Sequence, residues 1–198
     1  MEETEREELI EHAYNAFLAK GPEDLAEHSK SIADELKGEI GVFSLCADYK
    51  NILLWSHYSD KHQGFCVGFS SRRLLDFCLS HSESGTNIIS LEKISYRKRY
   101  PIISTYRTSE AGRLRCLTTK AINWKYEMEY RLIWAGGANK PLSLGDRIIR
   151  RVILGCRISA LDRDKIGSIL RSHNMKITLF QAKVKKDSFG LDFERVRY

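Results

Sequence analysis

The stretch VILGCRISALDRDKIGSILRSHNMKITLFQAKV, residues 152–184, decides the fold. Val152 to Cys156 is an apolar run of strand length. Ser159, with Asp162 three residues on, resembles a capping box, and Ile166, Ile169 and Leu170 supply the apolar face of the helix it would start. Met175 to Val184 reads as a further strand with Ile177, Leu179 and Ala182 turned inward. A strand, a helix and a strand in that order form a crossover.

Working outward, Glu127 to Ala135 predicts a strand in which Met128, Tyr130, Leu132 and Trp134 alternate with Glu127, Glu129, Arg131 and Ile133. Met128 and Tyr130 are expected to face the core, with Glu127, Glu129 and Arg131 sharing the other face. Further strands are expected at residues 40–46 and 64–69, and strand material at Ile88–Ile89 and Ile94–Tyr96. Short helices are expected over Asn51–Tyr58, from Ser71 through Leu79, and over Ser109–Asn123. At the front of the chain, Leu9, Ala13, Ala16 and Phe17 repeat at helical spacing until Gly21, and Pro22 opens a second helix that ends at Gly38. The fold class is therefore α+β, a mixed β-sheet with flanking helices and an N-terminal helical hairpin. Residues 1–38 form the acidic hairpin, packed on a basic α+β domain at 39–198.

Charge supports the same division. Residues 1–37 hold 11 acidic and 4 basic side chains, which leaves 28 basic and 15 acidic in the remainder. A body that basic attracts phosphates, whether from nucleic acid, a dinucleotide or a phosphorylated metabolite, and the acidic hairpin offers a surface for a protein partner. The competing reading is that the charges only solvate the surface. In a chain of 198 residues, 42% hydrophobic, no apolar run approaches the roughly 20 residues that a membrane helix needs. The acidic N-terminus is unlike a secretory signal, so the expected location is the cytoplasm, with no membrane partner. Cys46, Cys66, Cys78, Cys116 and Cys156 are widely spaced, with no Cys-x-x-Cys pair, and read as small core residues rather than a disulfide frame or zinc site. His57 and His62, five apart, suit no metal.

Two constellations could carry chemistry. In residues 53–69, Trp55, His57, Tyr58 and His62 each bring a ring with a polar edge, and Gly64 and Gly68 bracket an alternating strand. Trp and Tyr rings can hold a flat ligand and an imidazole can move a proton near neutral pH, although Trp55 and Tyr58, three apart, equally suit packing on the core. In residues 120–131, Glu127 and Glu129 lie on one strand face, about 7 Å apart by strand geometry. One of them would be free to accept a substrate hydroxyl or act as a base, and Arg131 could pin one or meet a phosphate. A solvated face with Arg131 paired to a glutamate fits as well. A third set, Arg97, Lys98 and Arg99 between Tyr96 and Tyr100, could grip a phosphate backbone and stack a base, or be a solvated turn. No Walker loop, dinucleotide glycine fingerprint, Gly-x-Ser-x-Gly elbow or zinc-protease helix is present in the sequence.

Phe43-Ser44-Leu45-Cys46, Leu54-Trp55-Ser56-His57-Tyr58, His62-Gln63-Gly64-Phe65, Gly68-Phe69, Lys120 to Trp124 with Glu127, Glu129 and Arg131, and Val152-Ile153-Leu154-Gly155 together resemble the bacterial domain-of-unknown-function family 2971. The resemblance spans about residues 40–185 and brings no established reaction. Glu127-Met128-Glu129 entering a strand is, more weakly, similar to the Glu-x-Glu signature of ADP-ribosyltransferases. That similarity implies a catalytic Glu129, a Glu127 that orients the acceptor, and a nicotinamide pocket lined by Trp55 with Tyr58 or His57. His62, Trp124 and Arg131 complete the ligand-binding set. The resulting expectation is an NAD-consuming effector of a bacterial defence or toxin system, with NAD as substrate and no resident cofactor required. The alternative is a non-catalytic module binding nucleic acid or a phosphorylated ligand.

Overall fold

The computed structural model describes residues 34, 38–82, 89–101, 110–145, 147–172 and 177–198. The chain divides into two compact units, Met1–Ile40 and Gly41–Tyr198. In the first unit residue 34 and residues 38–39 are helical, and the expected hairpin otherwise lies outside the described residues.

The second unit is α+β, with its strands in several sheets. In chain order the elements are β1 (Ile40–Cys46), α1 (Ile52–Tyr58), β2 (Phe65–Phe69), α2 (Ser71–Ser82), β3 (Ile89–Lys93), β4 (Ser95–Arg97), α3 (Glu110–Leu117) and β5 (Thr119–Ala121). A 3₁₀ helix (Ile122–Glu127) leads into β6 (Glu129–Ala135), followed by β7 (Ile149–Leu154), α4 (Ala160–Ser172), β8 (Thr178–Val184) and β9 (Leu191–Val196). The strand orders are β2-β7-β8-β9, β1-β6-β3 and β4-β5.

The crossover read from residues 152–184 is present: β7 and β8 run parallel, joined by α4, while β2 and β9 flank them antiparallel. Ser159 opens α4 by accepting from the Asp162 amide at 3.0 Å. The apolar run of β7 reflects cover on both faces. Val152 and Leu154 pack with Leu170 of α4 and Leu179 of β8. Ile153, pointing the other way, packs with Trp55 of α1, Ala182 and Leu191. Ile169, expected on the apolar face of α4, is instead 48% exposed. β9, the second partner of β8, follows a turn in a stretch where the sequence reading expects no strand.

The remaining core joins Leu74 and Cys78, four apart on α2, to Ile89 of β3, Leu132 of β6 and Ile148. Cys78 is the buried cysteine; Cys66, Cys116 and Cys156 are half-buried and Cys46 is exposed, which corrects their reading as core residues.

The region before β6 departs most from expectation. The helix predicted to reach Asn123 stops at Leu117, and Thr119–Ala121 forms a strand parallel to β4. The strand expected from Glu127 begins at Glu129 because Met128 adopts a left-handed conformation, φ 45° and ψ 48°, at the end of the 3₁₀ helix. Met128 is 51% exposed, whereas Glu127 and Glu129 are 4% and 5% exposed. The expectation fails at Met128 and at the glutamates: two charged residues are inside and the thioether is outside, while Leu132 and Trp134 of the expected core face do pack in the core. Charged side chains are stable there only if paired, and both are.

Candidate functional site

Four segments converge on the two glutamates. Glu129 Oε1 accepts from Ser44 Oγ of β1 at 2.8 Å and from Arg131 Nε at 2.7 Å. Its Oε2 accepts from Lys120 Nζ of β5 at 2.9 Å and from Arg131 Nη2 at 3.4 Å. Its backbone amide donates to the Tyr96 hydroxyl of β4 at 2.8 Å. Glu127 accepts from the Tyr58 phenol of α1 at 2.7 Å on Oε1 and from Lys120 on Oε2. Arg131 also donates to the Leu117 carbonyl, which fixes its guanidinium between α3 and β6.

Two carboxylates thus face one ammonium and one guanidinium, and the cluster is formally neutral. Burial alone would raise the Glu129 carboxyl, but hydrogen bonds from Arg131, Lys120 and Ser44 hold it at about 2. Burial likewise disfavours the Lys120 ammonium, and its bonds to Glu127 and Glu129 outweigh that and lift its pKa above the ordinary value. The Tyr58 phenol is raised because it donates to the Glu127 carboxylate.

The glutamates differ in spare capacity. A carboxylate offers about four acceptor positions. Glu129 fills four, counting the longer contact to Arg131. Glu127 fills two among the described residues, one on each oxygen. Among the described residues the carboxylate with spare acceptor positions is therefore Glu127.

Both glutamates lie in the wall of a pocket of about 350 Å³. β1 and the turn after it supply Ser44, Cys46, Asp48 and Tyr49; α1 supplies Leu54, Trp55 and Tyr58; β2 supplies Phe65 and Cys66; β5 supplies Lys120. The two stretches singled out in the sequence, residues 53–69 and 120–131, thus line one concavity. Asn51 ties them together: its Oδ1 caps α1 by accepting from the Leu53 amide at 3.0 Å, and its Nδ2 donates to the Tyr126 carbonyl at 2.7 Å.

The remaining sequence candidates are placed around this pocket. Trp55 is 3% exposed, and its Nε1 donates to the Tyr49 carbonyl at 2.7 Å, so its ring is a packed wall. His62 stacks on it with a 9° interplanar angle and shares a hydrogen bond with Ser56 Oγ at 3.1 Å, and neither His62 nor Ser56 lines the pocket. His57 is exposed in a cluster with Tyr58, Trp124 and Tyr126 at ring separations of 6.3–6.4 Å. Trp124 does not line the pocket; its ring lies 5.2 Å from Lys120 Nζ and supports that ammonium by a cation–π contact. Arg131 holds Glu129 and does not line the pocket. Among the described residues no group of three or more His, Cys, Asp or Glu is placed to hold a metal.

Ser44, Tyr96 and Lys120 were missed as site residues. Ser44 and Lys120 carry no local pattern that sets them apart, and Tyr96 borders the basic turn rather than the glutamates in the sequence. Nothing in the sequence signals the β4–β5 pairing that brings Tyr96 opposite Lys120.

Residues 54–132 match a family described as protein of unknown function (DUF2971). The resemblance noted in the sequence therefore holds, over a narrower span than residues 40–185. The DUF2971 match takes in Trp55, Tyr58, Lys120, Glu127, Glu129 and Arg131, and leaves Ser44, Asp48 and Tyr49 outside. No curated protein and no solved structure matches the chain. No helix among the described residues is long and apolar enough to cross a membrane.

Proposed function

We propose that the pocket is an active site for cleaving a ribosyl–base bond, and that the chain is an NAD-consuming effector of the ADP-ribosyltransferase kind with Glu127, rather than Glu129, as the catalytic carboxylate. The observation that carries this reading is the spare acceptor capacity of buried Glu127 on an aromatic-walled pocket. A flat base suits the apolar wall of Leu54, Tyr58 and Phe65. A ribose hydroxyl would donate to Glu127.

When the bond from ribose C1′ to the nicotinamide nitrogen breaks, its electron pair leaves with nicotinamide and positive charge develops on the ribosyl ring. A fixed carboxylate in a partly desolvated pocket stabilises that charge. Water or an acceptor hydroxyl then bonds to C1′ and passes its proton to solvent water at the open side of the pocket. Glu129, filled by its four contacts, acts through position: it holds Lys120, which holds Glu127. A pocket of about 350 Å³ is at the small end for ligand sites, so the nicotinamide riboside half lies inside and the adenylate outside.

Nicotinamide release from NAD, followed by chromatography, tests the reading. Wild type is expected to release nicotinamide, with Glu127→Gln at least about 100-fold slower. No release by wild type, or equal release by the variant, would overturn it.

A further inference from the structure

The β4–β5 ladder has a second face. Its register pairs Ser95 with Thr119, Tyr96 with Lys120 and Arg97 with Ala121. Tyr96 and Lys120 reach the glutamates, and strand alternation turns Ser95, Arg97 and Thr119 the opposite way. There they line a separate cleft of about 600 Å³ with Arg99, Tyr100 and Arg115. The pocket proposed for catalysis does not use this face.

The cleft is lined by basic and aromatic side chains. Its three guanidinium groups are all exposed, and no acidic side chain lines it among the described residues. None of the three is ion-paired to a described residue. Arg97 is oriented by its Nε, which donates to Ser95 Oγ at 3.0 Å, so its Nη donors remain open. Thr118 and Thr119 spend their hydroxyl protons on the Leu114 and Arg115 carbonyls, at 2.8 and 2.7 Å, which leaves the arginines as the donors. Tyr100 is 96% exposed, an aromatic ring with almost no cover.

We propose that this cleft binds single-stranded nucleic acid, with Arg97, Arg99 and Arg115 on its phosphates and the Tyr100 ring under a base. Arginine matches phosphate by bidentate hydrogen bonding, and an exposed ring offers a base its stacking surface. A free phosphate would need the arginines but not the ring. A duplex keeps its bases stacked inside and gives Tyr100 nothing to hold.

The test is fluorescence anisotropy of a labelled single strand of about 12 nucleotides across a salt series, beside a hairpin duplex and with inorganic pyrophosphate as competitor. Arg97→Gln with Arg115→Gln is expected to weaken single-strand binding more than tenfold and to shrink the slope of log affinity against log salt by about 1.4, two phosphate contacts' worth. Tyr100→Ala is expected to weaken it about tenfold with the slope unchanged. Glu127→Gln, which disables the proposed catalysis, leaves binding as it is, so the two readings fail separately. All three cleft positions are exposed, and unchanged melting temperatures would show the variants folded. Equal binding by the arginine double variant, duplex binding as tight as single-strand binding, or full displacement by pyrophosphate with no effect of Tyr100→Ala would each overturn the proposal.

Discussion

Tyr58 and Glu127, separated by 69 positions in the sequence, meet through a phenol that donates to a carboxylate oxygen at 2.7 Å. The bond closes α1 against the 3₁₀ helix and places an exposed ring beside a buried charge, since Tyr58 is 67% exposed and Glu127 only 4%. Losing the proton would leave a phenolate against a carboxylate, so the folded protein keeps this tyrosine protonated above the ordinary range. Absorbance titration of phenolate is expected to show a late-titrating tyrosine that Tyr58→Phe removes and Glu127→Gln shifts down. A late signal surviving unchanged in Tyr58→Phe would assign it elsewhere, with Tyr96, also raised by burial, as the other source.

Glu129 makes stability depend on acid. Its folded pKa of about 2 lies below the value of an unfolded glutamate, so its contribution is full above about pH 4.5 and is lost as pH falls through 2. The shift corresponds to about 3 kcal/mol across that window. Denaturant unfolding at a series of pH values is expected to show this slope, and Glu129→Gln to flatten it. A variant with the wild-type slope would place the acid sensitivity in other carboxylates.

Lys120 holds both glutamates, and its removal leaves two buried carboxylates with Arg131 as their cation. Lys120→Met is expected to cost about 2–4 kcal/mol near neutral pH, less than a fully buried pair because the lysine side chain is 22% exposed. The cost should shrink in acid, as the pair of carboxylates left with a single cation takes up a proton. A pH-independent cost would mean that lost packing, not charge, explains it.

Trp55 bears on whether its ring is a ligand platform or part of the core. It packs with Ile153, Ala182 and Leu191 beneath the four-stranded sheet, and truncation to Ala is expected to cost about 3–5 kcal/mol in chemical unfolding. A cost below about 1 kcal/mol would return Trp55 to the ligand-binding set.

Gly155 lies where the chain leaves β7. A Cβ there would sit 2.1 Å from the His62 carbonyl oxygen and 2.7 Å from that of Gly64, both backbone atoms that cannot swing away. Gly155→Ala is therefore expected to destabilise by at least about 1–3 kcal/mol and to disturb the left-handed turn Asp60–Lys61–His62. Wild-type stability in this variant would show that the turn yields.

Much of the fold was legible because periodicity records burial. The crossover of β7, α4 and β8 read correctly from residues 152–184, since the covered end of β7, Val152 to Leu154, is apolar and Leu170 follows helical spacing. β7 itself starts earlier, at Ile149, with exposed Arg150 and Arg151, and ends before Cys156. The two stretches that form the pocket were legible from their chemistry, as polar-edged rings and close-set glutamates. The Glu127–Arg131 segment misled because alternation assumes that charge faces water. Here Lys120, Arg131, Ser44 and Tyr58 make burial tolerable, and three of those four partners lie outside the segment.

The sequence by itself determined the α+β class, the crossover around α4 and the residue types of the site, because these follow from local patterns of apolar and polar side chains. Only the tertiary structure decided that, among the described residues, Glu129 accepts four hydrogen bonds and Glu127 two. That difference depends on donors from β1, α1 and β5, whose approach is fixed by long-range packing and a left-handed Met128, and no local spacing encodes it.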